Sequence, residues 1–220
     1  QIGFQATAST MALGQMSEIF FMLLVPFFFR KLGVKLMILI GMLAWVARYA
    51  LFAYGAPEQV VWMIMLGVVL HGICYDFFFV TGFMYTDNKA PKEIRSQAQS
   101  LLVFFTQGIG MFLGYRIAAG SPIVPFISDY KLTPGFPDVE ASSNALAETI
   151  KTPEFGFWES FGKMFLTEKP QATGAIVSDA MTNWKVFWMF PCLMALVVTV
   201  VFAIAFWDKY KEEDKLESVG

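Results

Sequence analysis

Five long apolar stretches constrain the fold of this chain more than any other feature of its sequence. A helix needs about 20 mostly apolar residues to cross the roughly 30 Å hydrocarbon core of a bilayer. Of the whole chain, 56% is hydrophobic and 15% is charged, whereas soluble domains carry about 25% charge. We therefore predict an all-α integral membrane protein with five transmembrane helices. The predicted spans are residues 6–29, 34–54, 60–85, 93–120 and 184–207.

Charge and residue counts exclude several other classes of protein. The net charge is −2 without a strongly basic field, so we expect no nucleic-acid partner. Cys74 and Cys192 both lie inside apolar stretches, and His71 is the single histidine. Such a set supports neither a disulfide framework nor a metal site, and we expect no metal and no cofactor.

Lysine and arginine are distributed unevenly among the connections between the spans. The connection at 55–59 has no positive charge. Basic connections of multi-pass proteins lie in the cytoplasm, and five alternating spans place the three basic segments on one side. We therefore predict a cytoplasmic C-terminal tail at 208–220 and an outer loop at 121–183. The basic residues of the three segments are Arg30, Lys31 and Lys35; Lys89, Lys92 and Arg95; and Lys209, Lys211 and Lys215.

The predicted outer loop contains an amphipathic segment. Residues 120–137 are rich in proline and glycine, which is typical of irregular structure. Near 153–165, aromatic and methionine side chains recur at helical spacing. Two interpretations are open for this segment. It is either a helix that lies on the membrane surface or a lid that packs on the protein.

A few polar side chains interrupt the apolar stretches, and these are the candidates for function. An ionisable residue within a membrane costs roughly 2.5–3.5 kcal/mol on insertion scales and usually faces a cavity or a partner. Glu18 and His71 each lie roughly 16 Å from one end of their span, at 1.5 Å per residue, and so near the bilayer middle. Polar groups from different helices in that layer are what a transporter site requires. The ionisable residues are Glu18, Arg48, His71 and Asp76, and the amides are Gln15 and Gln107.

Gln15 and Glu18 are spaced i, i+3 and so share one helix face. An amide beside a carboxylate can bind a sugar hydroxyl or a base edge, and the carboxylate can also take up a proton. Glu18 is therefore a candidate for both substrate binding and proton coupling. The alternative is a structural pair between Glu18 and Arg48, and Arg48 is in either case a candidate counter-ion.

A second group of candidates lies at His71, Tyr75 and Asp76. His71 and Tyr75 share a helix face, whereas Asp76 is turned about 140° from His71 on a regular helix. All three can reach one ligand only if Gly72 permits a local distortion. As alternatives, His71 makes a structural hydrogen bond between helices, and Asp76 either carries a proton or pairs with another helix. Tyr75 and Phe79, one turn apart, are candidates to line a cavity.

Four segments resemble the bacterial nucleoside:proton symporters of the major facilitator superfamily. They match that family's eighth to eleventh helices in order and spacing, and the last span matches the twelfth loosely. The resemblance implies a partial major-facilitator-type bundle, the C-terminal part of a twelve-helix protein whose N-terminal half is missing from this chain. A start at Gln1 also fits a piece of a longer protein. The matching segments are Gln15-Met16-Ser17-Glu18 with Pro26-Phe27-Phe28, Ala44 to Gly55, Tyr75-Asp76-Phe77-Phe78 with Gly82, and Ile94-Arg95-Ser96-Gln97-Ala98-Gln99.

The resemblance also implies roles for individual residues. In the family, the amide and acid that match Gln15 and Glu18 contact the nucleoside. So do the aromatic residues of the tenth helix and the acid that matches Asp76. Departures from the family pattern at three positions bear on the preferred base and sugar. They are His71 for a tyrosine, Tyr75 for a phenylalanine and Phe79 for an asparagine.

Proton-coupled nucleoside import by alternating access, at a bacterial inner membrane, is the predicted function. Its partners are a nucleoside, a proton and the lipid bilayer, and we expect no enzymatic activity. The predicted substrate-binding residues are Gln15, Glu18, His71, Tyr75 and Phe79, and the predicted proton-coupling residues are Asp76 and Glu18.

Rival functions remain open. The nearest rival is a transporter of another small solute, such as a sugar or an organic anion, since a fold does not fix a substrate. A membrane-embedded enzyme could use His71 and Asp76, but no Ser or Cys nucleophile has motif-like spacing. A receptor or scaffold could bind a partner through residues 121–183.

Overall fold

The computed structural model describes residues 6–118, 141–142, 144–145, 155–166 and 174–207. Most of these residues are helical, and the described part contains no β-strand. Among the described residues, four helical stretches are long and apolar enough to cross a membrane, which confirms the prediction of an all-α membrane fold. By residue range they are Ala8–Gly55, Val61–Lys89, Arg95–Ile117 and Gly174–Ala205.

The element α1 (Thr7–Gly55) consists of two helices that meet at a kink at Gly33, where the chain reverses direction. Gly33 has φ 73° and ψ 174°, a backbone conformation that is essentially restricted to glycine. A straight helix would separate Glu18 from Arg48 by about 45 Å, yet both side chains contact His71. The two halves of α1, residues 7–32 and 34–55, therefore run back along each other, and they occupy the positions of the first two predicted spans.

The helix Val61–Lys89 is irregular at its centre. Leu70 interrupts it between α2 and α3, and a π-helical segment follows α3 directly. π turns are rare and occur mostly as single-turn insertions at functional sites. The helix is thus distorted at the positions of the second group of candidates. Its parts are α2 (Val61–Val69), α3 (His71–Tyr75), the π segment Asp76–Val80 and α4 (Thr81–Lys89).

The next helix contains a second π segment. It consists of α5 (Arg95–Val103), the π segment Phe104–Ile109 and α6 (Gly110–Ala118). Its N-terminal part packs on α4, where Gln99 Nε2 donates to the Phe83 carbonyl at 2.8 Å. No residue of its most apolar window is buried. This helix therefore attaches to the rest of the described chain mainly at one end.

The helix nearest the C-terminus begins earlier than the predicted span. Among the described residues after α6, the helices with defined bounds are α7 (Phe157–Gly162) and α8 (Gly174–Ala205). Ala180 and Met181 of α8 are buried against Ala56, in the turn between α1 and α2. The first part of α8 is therefore stabilised by protein contacts, and its sequence need not be apolar enough for lipid.

Side-chain contacts indicate which connections between helices lie at the same end of the bundle. At one end, the Lys35 ammonium lies 5.0 Å from the Trp207 ring centroid. At the other end, the Lys185 ammonium lies 4.5 Å from the Tyr54 ring centroid. The first connection and the end of α8 thus share one end, as five alternating spans require. The predicted tail at 208–220 lies outside the described residues.

The predicted amphipathic segment has one buried side and one exposed side. The Thr10 hydroxyl donates to the Met164 carbonyl oxygen at 2.7 Å, and both residues are buried. On the other side, Phe157 is 69% and Trp158 81% exposed. The segment therefore packs on the start of α1, as a lid does, and also presents aromatic rings, as a membrane-surface helix does. Most of the predicted loop 121–183 lies outside the described residues.

Candidate functional site

The candidate site lies where α1 crosses α3 at very short range. A Cβ atom added to Gly72 would lie 2.6 Å from the backbone C and O atoms of Ser17. Ser17 Oγ accepts the Gly72 N–H at 3.0 Å and donates to the Gly14 carbonyl oxygen at 2.6 Å. These small residues bring the two helix backbones into contact, and the crossing places Glu18 opposite His71.

His71 joins Glu18 to Arg48. Its Nε2 lies 2.7 Å from Glu18 Oε1, and its Nδ1 is hydrogen-bonded to Arg48 Nη1. The His71 and Glu18 side chains are 20% and 18% exposed, so the pair borders accessible space. The structure thus places His71 between the two groups of the alternative Glu18–Arg48 pair. We refer to these three residues as the Glu18–His71–Arg48 array.

A row of rings continues from the array along the same helix. The ring centroids of His71 and Tyr75 are 6.3 Å apart, and those of Tyr75 and Phe79 are 5.0 Å apart. All three side chains are half-buried. Phe77, in contrast, is buried in an apolar cluster with Val25 and Met37. The row offers ring faces on which a flat ligand group can stack.

Asp76 is the residue with the most unusual environment. It is 0% exposed, and neither carboxylate oxygen has a hydrogen-bond partner among the described residues. The alternative role for Asp76, pairing with another helix, would require a partner for this carboxylate.

The two amides of the predicted site are placed differently. Gln15 is exposed, one turn from Glu18 along α1. Gln107 is half-buried in the π segment Phe104–Ile109. That helix packs on α4, and the structure does not bring Gln107 to the array.

Two aromatic residues support the site without having been predicted to do so. The Arg48 guanidinium carbon lies 5.6 Å from the Trp45 ring centroid and 5.4 Å from that of Phe52. The signal was present in the sequence, because positions i−3 and i+4 lie on the same helix face as position i. These contacts place a cation against aromatic faces and orient it toward His71.

The array, the row and Asp76 offer hydrogen bonding, stacking and proton binding. Among the described residues, no group of three or more His, Cys, Asp or Glu side chains is placed to hold a metal ion. Hydrogen-bond acceptors at Glu18 and ring faces at Tyr75 and Phe79 suit a ligand with both hydroxyl groups and a flat ring.

Several known proteins are similar in sequence to this chain. Residues 1–130 match the family model described as nucleoside H⁺ symporter. The protein YegT of Escherichia coli K12 is 31% identical over 214 residues, which cover 96% of this chain and 40% of YegT. Nucleoside permease NupG of the same organism is 34% identical over 111 residues, 50% of this chain and 27% of NupG. Xanthosine permease of that organism is 32% identical over 120 residues, 54% of this chain and 28% of the permease.

Solved structures share the fold. Two crystal structures of the nucleoside transporter NupG, one of a point mutant, match with TM-scores of 0.57 and 0.55 at 22% and 21% identity. Each match covers 90% of this chain and 37% of the NupG chain. The present chain thus spans two fifths or less of the length of these relatives.

Proposed function

The chain belongs to the nucleoside H⁺ symporter family, and we propose that it forms part of a transporter that imports nucleosides together with protons. Its apolar helices make it part of a multi-pass membrane protein. We place that protein in a bacterial inner membrane, with the basic connections in the cytoplasm. The names of two relatives, a nucleoside permease and a xanthosine permease, support the substrate class.

The observation that carries this proposal is the buried carboxylate of Asp76, which has no hydrogen-bond partner among the described residues and lies on the helix that also carries His71. Burying a charged carboxylate without a partner is far more costly than burying the neutral acid. A carrier with protonated Asp76 can therefore close around its substrate more readily than one with charged Asp76. This difference would couple proton binding to the change of access.

Substrate contacts follow from the same geometry. Gln15 and Glu18 would bind the sugar hydroxyl groups, because both lie on one face of α1 and Glu18 borders accessible space. His71, Tyr75 and Phe79 would form the wall of the base pocket. Gln107 has no role in this proposal.

A sugar transporter is the second candidate, because hydroxyl contacts at Glu18 suit either solute. The half-buried row from His71 to Phe79 favours a ligand that also has a flat ring. An organic-anion transporter is disfavoured, since Arg48 is already engaged with His71 and two aromatic rings.

The test is uptake of labelled uridine and adenosine by cells that express the full-length protein, with and without a protonophore. One proton per nucleoside at about 100 mV supplies about 2.3 kcal/mol, enough for roughly 50-fold accumulation. Glu18→Gln and Asp76→Asn should abolish accumulation, and Asp76→Asn should retain exchange. Asp179→Asn, on the exposed side of α8, is the matched control. Normal accumulation by both site variants would refute the coupling roles. Sugar uptake without nucleoside uptake would favour the second candidate.

A further inference from the structure

We propose that Arg48 is a positioning residue, which acts through His71 to keep Glu18 available as an acceptor for a substrate hydroxyl. The proposal rests on the function proposed above and assigns Arg48 a role beyond that of a counter-ion. Its basis is the direction of two hydrogen bonds in the Glu18–His71–Arg48 array.

The first hydrogen bond fixes which nitrogen of His71 carries the proton. A guanidinium group has five N–H donors and no acceptor. Because Arg48 Nη1 is bonded to His71 Nδ1, Nδ1 must present its lone pair. Nε2 then carries the hydrogen of the neutral ring. A doubly protonated ring would set an N–H group against the guanidinium donors.

The second hydrogen bond depends on this tautomer, because it joins His71 Nε2 to Glu18 Oε1. With its hydrogen on Nε2, His71 donates to Glu18 Oε1 across 2.7 Å. The opposite tautomer would point a lone pair at the carboxylate. Only the Nε2–H form orients Glu18 and leaves its remaining lone pairs for a ligand. Those lone pairs accept hydrogens, so the matching substrate group is a hydroxyl donor.

Arg48 is itself held in place before any ligand binds. The rings of Trp45 and Phe52 lie against its guanidinium group. Phe52 is in turn fixed by close packing, since a Cβ atom added to Gly67 would lie 2.7 Å from its Cε1. The donor that selects the His71 tautomer is therefore pre-organised, and the benefit is greatest for a ligand that needs Glu18 in one orientation.

A purely structural role for Arg48 makes different predictions. A structural residue would affect folding and transport alike, whatever residue stands at position 71. A positioning residue loses its effect when position 71 can donate to Glu18 without help. A glutamine at that position has an amide N–H₂ group that can do so.

The experiment measures nucleoside affinity of the full-length protein in a double-mutant cycle. Arg48→Met should weaken uridine binding about tenfold or more, since a hydrogen bond to a charged group is disturbed. In the His71→Gln background the same change should weaken it less than about twofold. Arg30→Met, at an exposed position of α1, controls for loss of an arginine. Equal effects of Arg48→Met in both backgrounds would overturn the proposal.

A spectroscopic measurement of the His71 tautomer tests the proposal even if Arg48→Met does not fold. The ring nitrogens of ¹⁵N-labelled histidine distinguish the two neutral tautomers and the cation, and His71→Gln identifies the His71 signals. We expect the neutral Nε2–H form in the unmutated protein. The cation or the Nδ1–H form would refute the proposal. If the unmutated protein binds no nucleoside, the proposed function fails, whereas the tautomer still tests the role of Arg48.

Discussion

Substitution of Gly72 by alanine tests the crossing of α1 and α3 on which the candidate site depends. The added Cβ would lie 2.6 Å from Ser17 C and O and 2.8 Å from Glu18 N, whereas ordinary contacts begin at 3.4 Å. All three are backbone atoms, which cannot rotate away. The two helices must therefore separate by about 0.8 Å at the crossing, the difference between 3.4 and 2.6 Å.

The separation has a cost in stability and a cost in function. Overpacking of this kind destabilises the folded protein by about 1–3 kcal/mol. Alanine has a higher helix propensity than glycine, which offsets about 1 kcal/mol of this loss. We expect a net loss of up to about 2 kcal/mol of unfolding free energy. The same shift would stretch the 2.7 Å contact between His71 and Glu18 to about 3.5 Å, where a hydrogen bond is essentially lost.

The assay combines thermal unfolding of the purified full-length protein with the KM of nucleoside uptake. Gly72→Ala should lower the Tm and raise the KM about tenfold, as loss of a charge-assisted hydrogen bond does. Gly82→Ala is the matched control, because its added Cβ would meet only Leu102 Cδ2, at 4.0 Å. A Gly72→Ala protein with unchanged Tm and KM would show that the helices do not cross as described.

Three further substitutions probe two hydrogen bonds and one backbone conformation. Ser17→Ala leaves the Gly72 N–H without its acceptor and should destabilise the protein by about 1–3 kcal/mol; an unchanged Tm would contradict this. Gly33→Ala meets no atom within 4 Å, so its effect is purely conformational. We expect about 1–3 kcal/mol of destabilisation from the positive φ, measured as a shift of the unfolding midpoint. Thr10→Val removes the hydroxyl that holds the Met164 carbonyl and should increase opening of residues 155–166 about fivefold for 1 kcal/mol. Hydrogen exchange in that segment measures the opening, and unchanged exchange would exclude the contact.

The fold was largely predictable because lipid imposes a simple rule on sequence. Apolar length marks each span, and this sufficed for the helices that cross the membrane. The exact residue at which the chain reverses between the first two spans was not predictable from length. It depends on the backbone of Gly33, and the apolar pattern does not record φ and ψ. The early start of α8 was missed because residues 174–183 are stabilised by contact with Ala56.

The residues of the candidate site were predictable from the sequence, but the contacts between them were less so. The free-energy cost of placing an ionisable side chain in lipid is enough to identify the candidates, since each such side chain requires a cavity or a partner. They are Glu18, Arg48, His71 and Asp76. Which of them pair depends on helix register. A direct Glu18–Arg48 pair was the alternative left open by the sequence, whereas the crossing at Gly72 places His71 between them. The irregularities of this helix lie at Leu70 and in the π segment Asp76–Val80, whereas Gly72 lies within α3 and provides the close crossing with Ser17.

Gln107 illustrates the limit of depth as a guide. Its distance along the span places it in the same layer as Glu18, but the helix that carries it packs on α4. Depth is a property of one helix, whereas a site requires that several helices face each other. The lateral arrangement of helices is set by packing between side chains far apart in the sequence.

Proton movement driven by substrate is the most direct test of the account. The full-length protein would be reconstituted into liposomes that contain a pH-sensitive dye, and uridine would be added with no initial pH gradient. The account predicts that uridine entry acidifies the lumen, and that Asp76→Asn abolishes this signal while uridine exchange persists. Uridine entry without acidification, or full acidification by the Asp76→Asn protein, would contradict it.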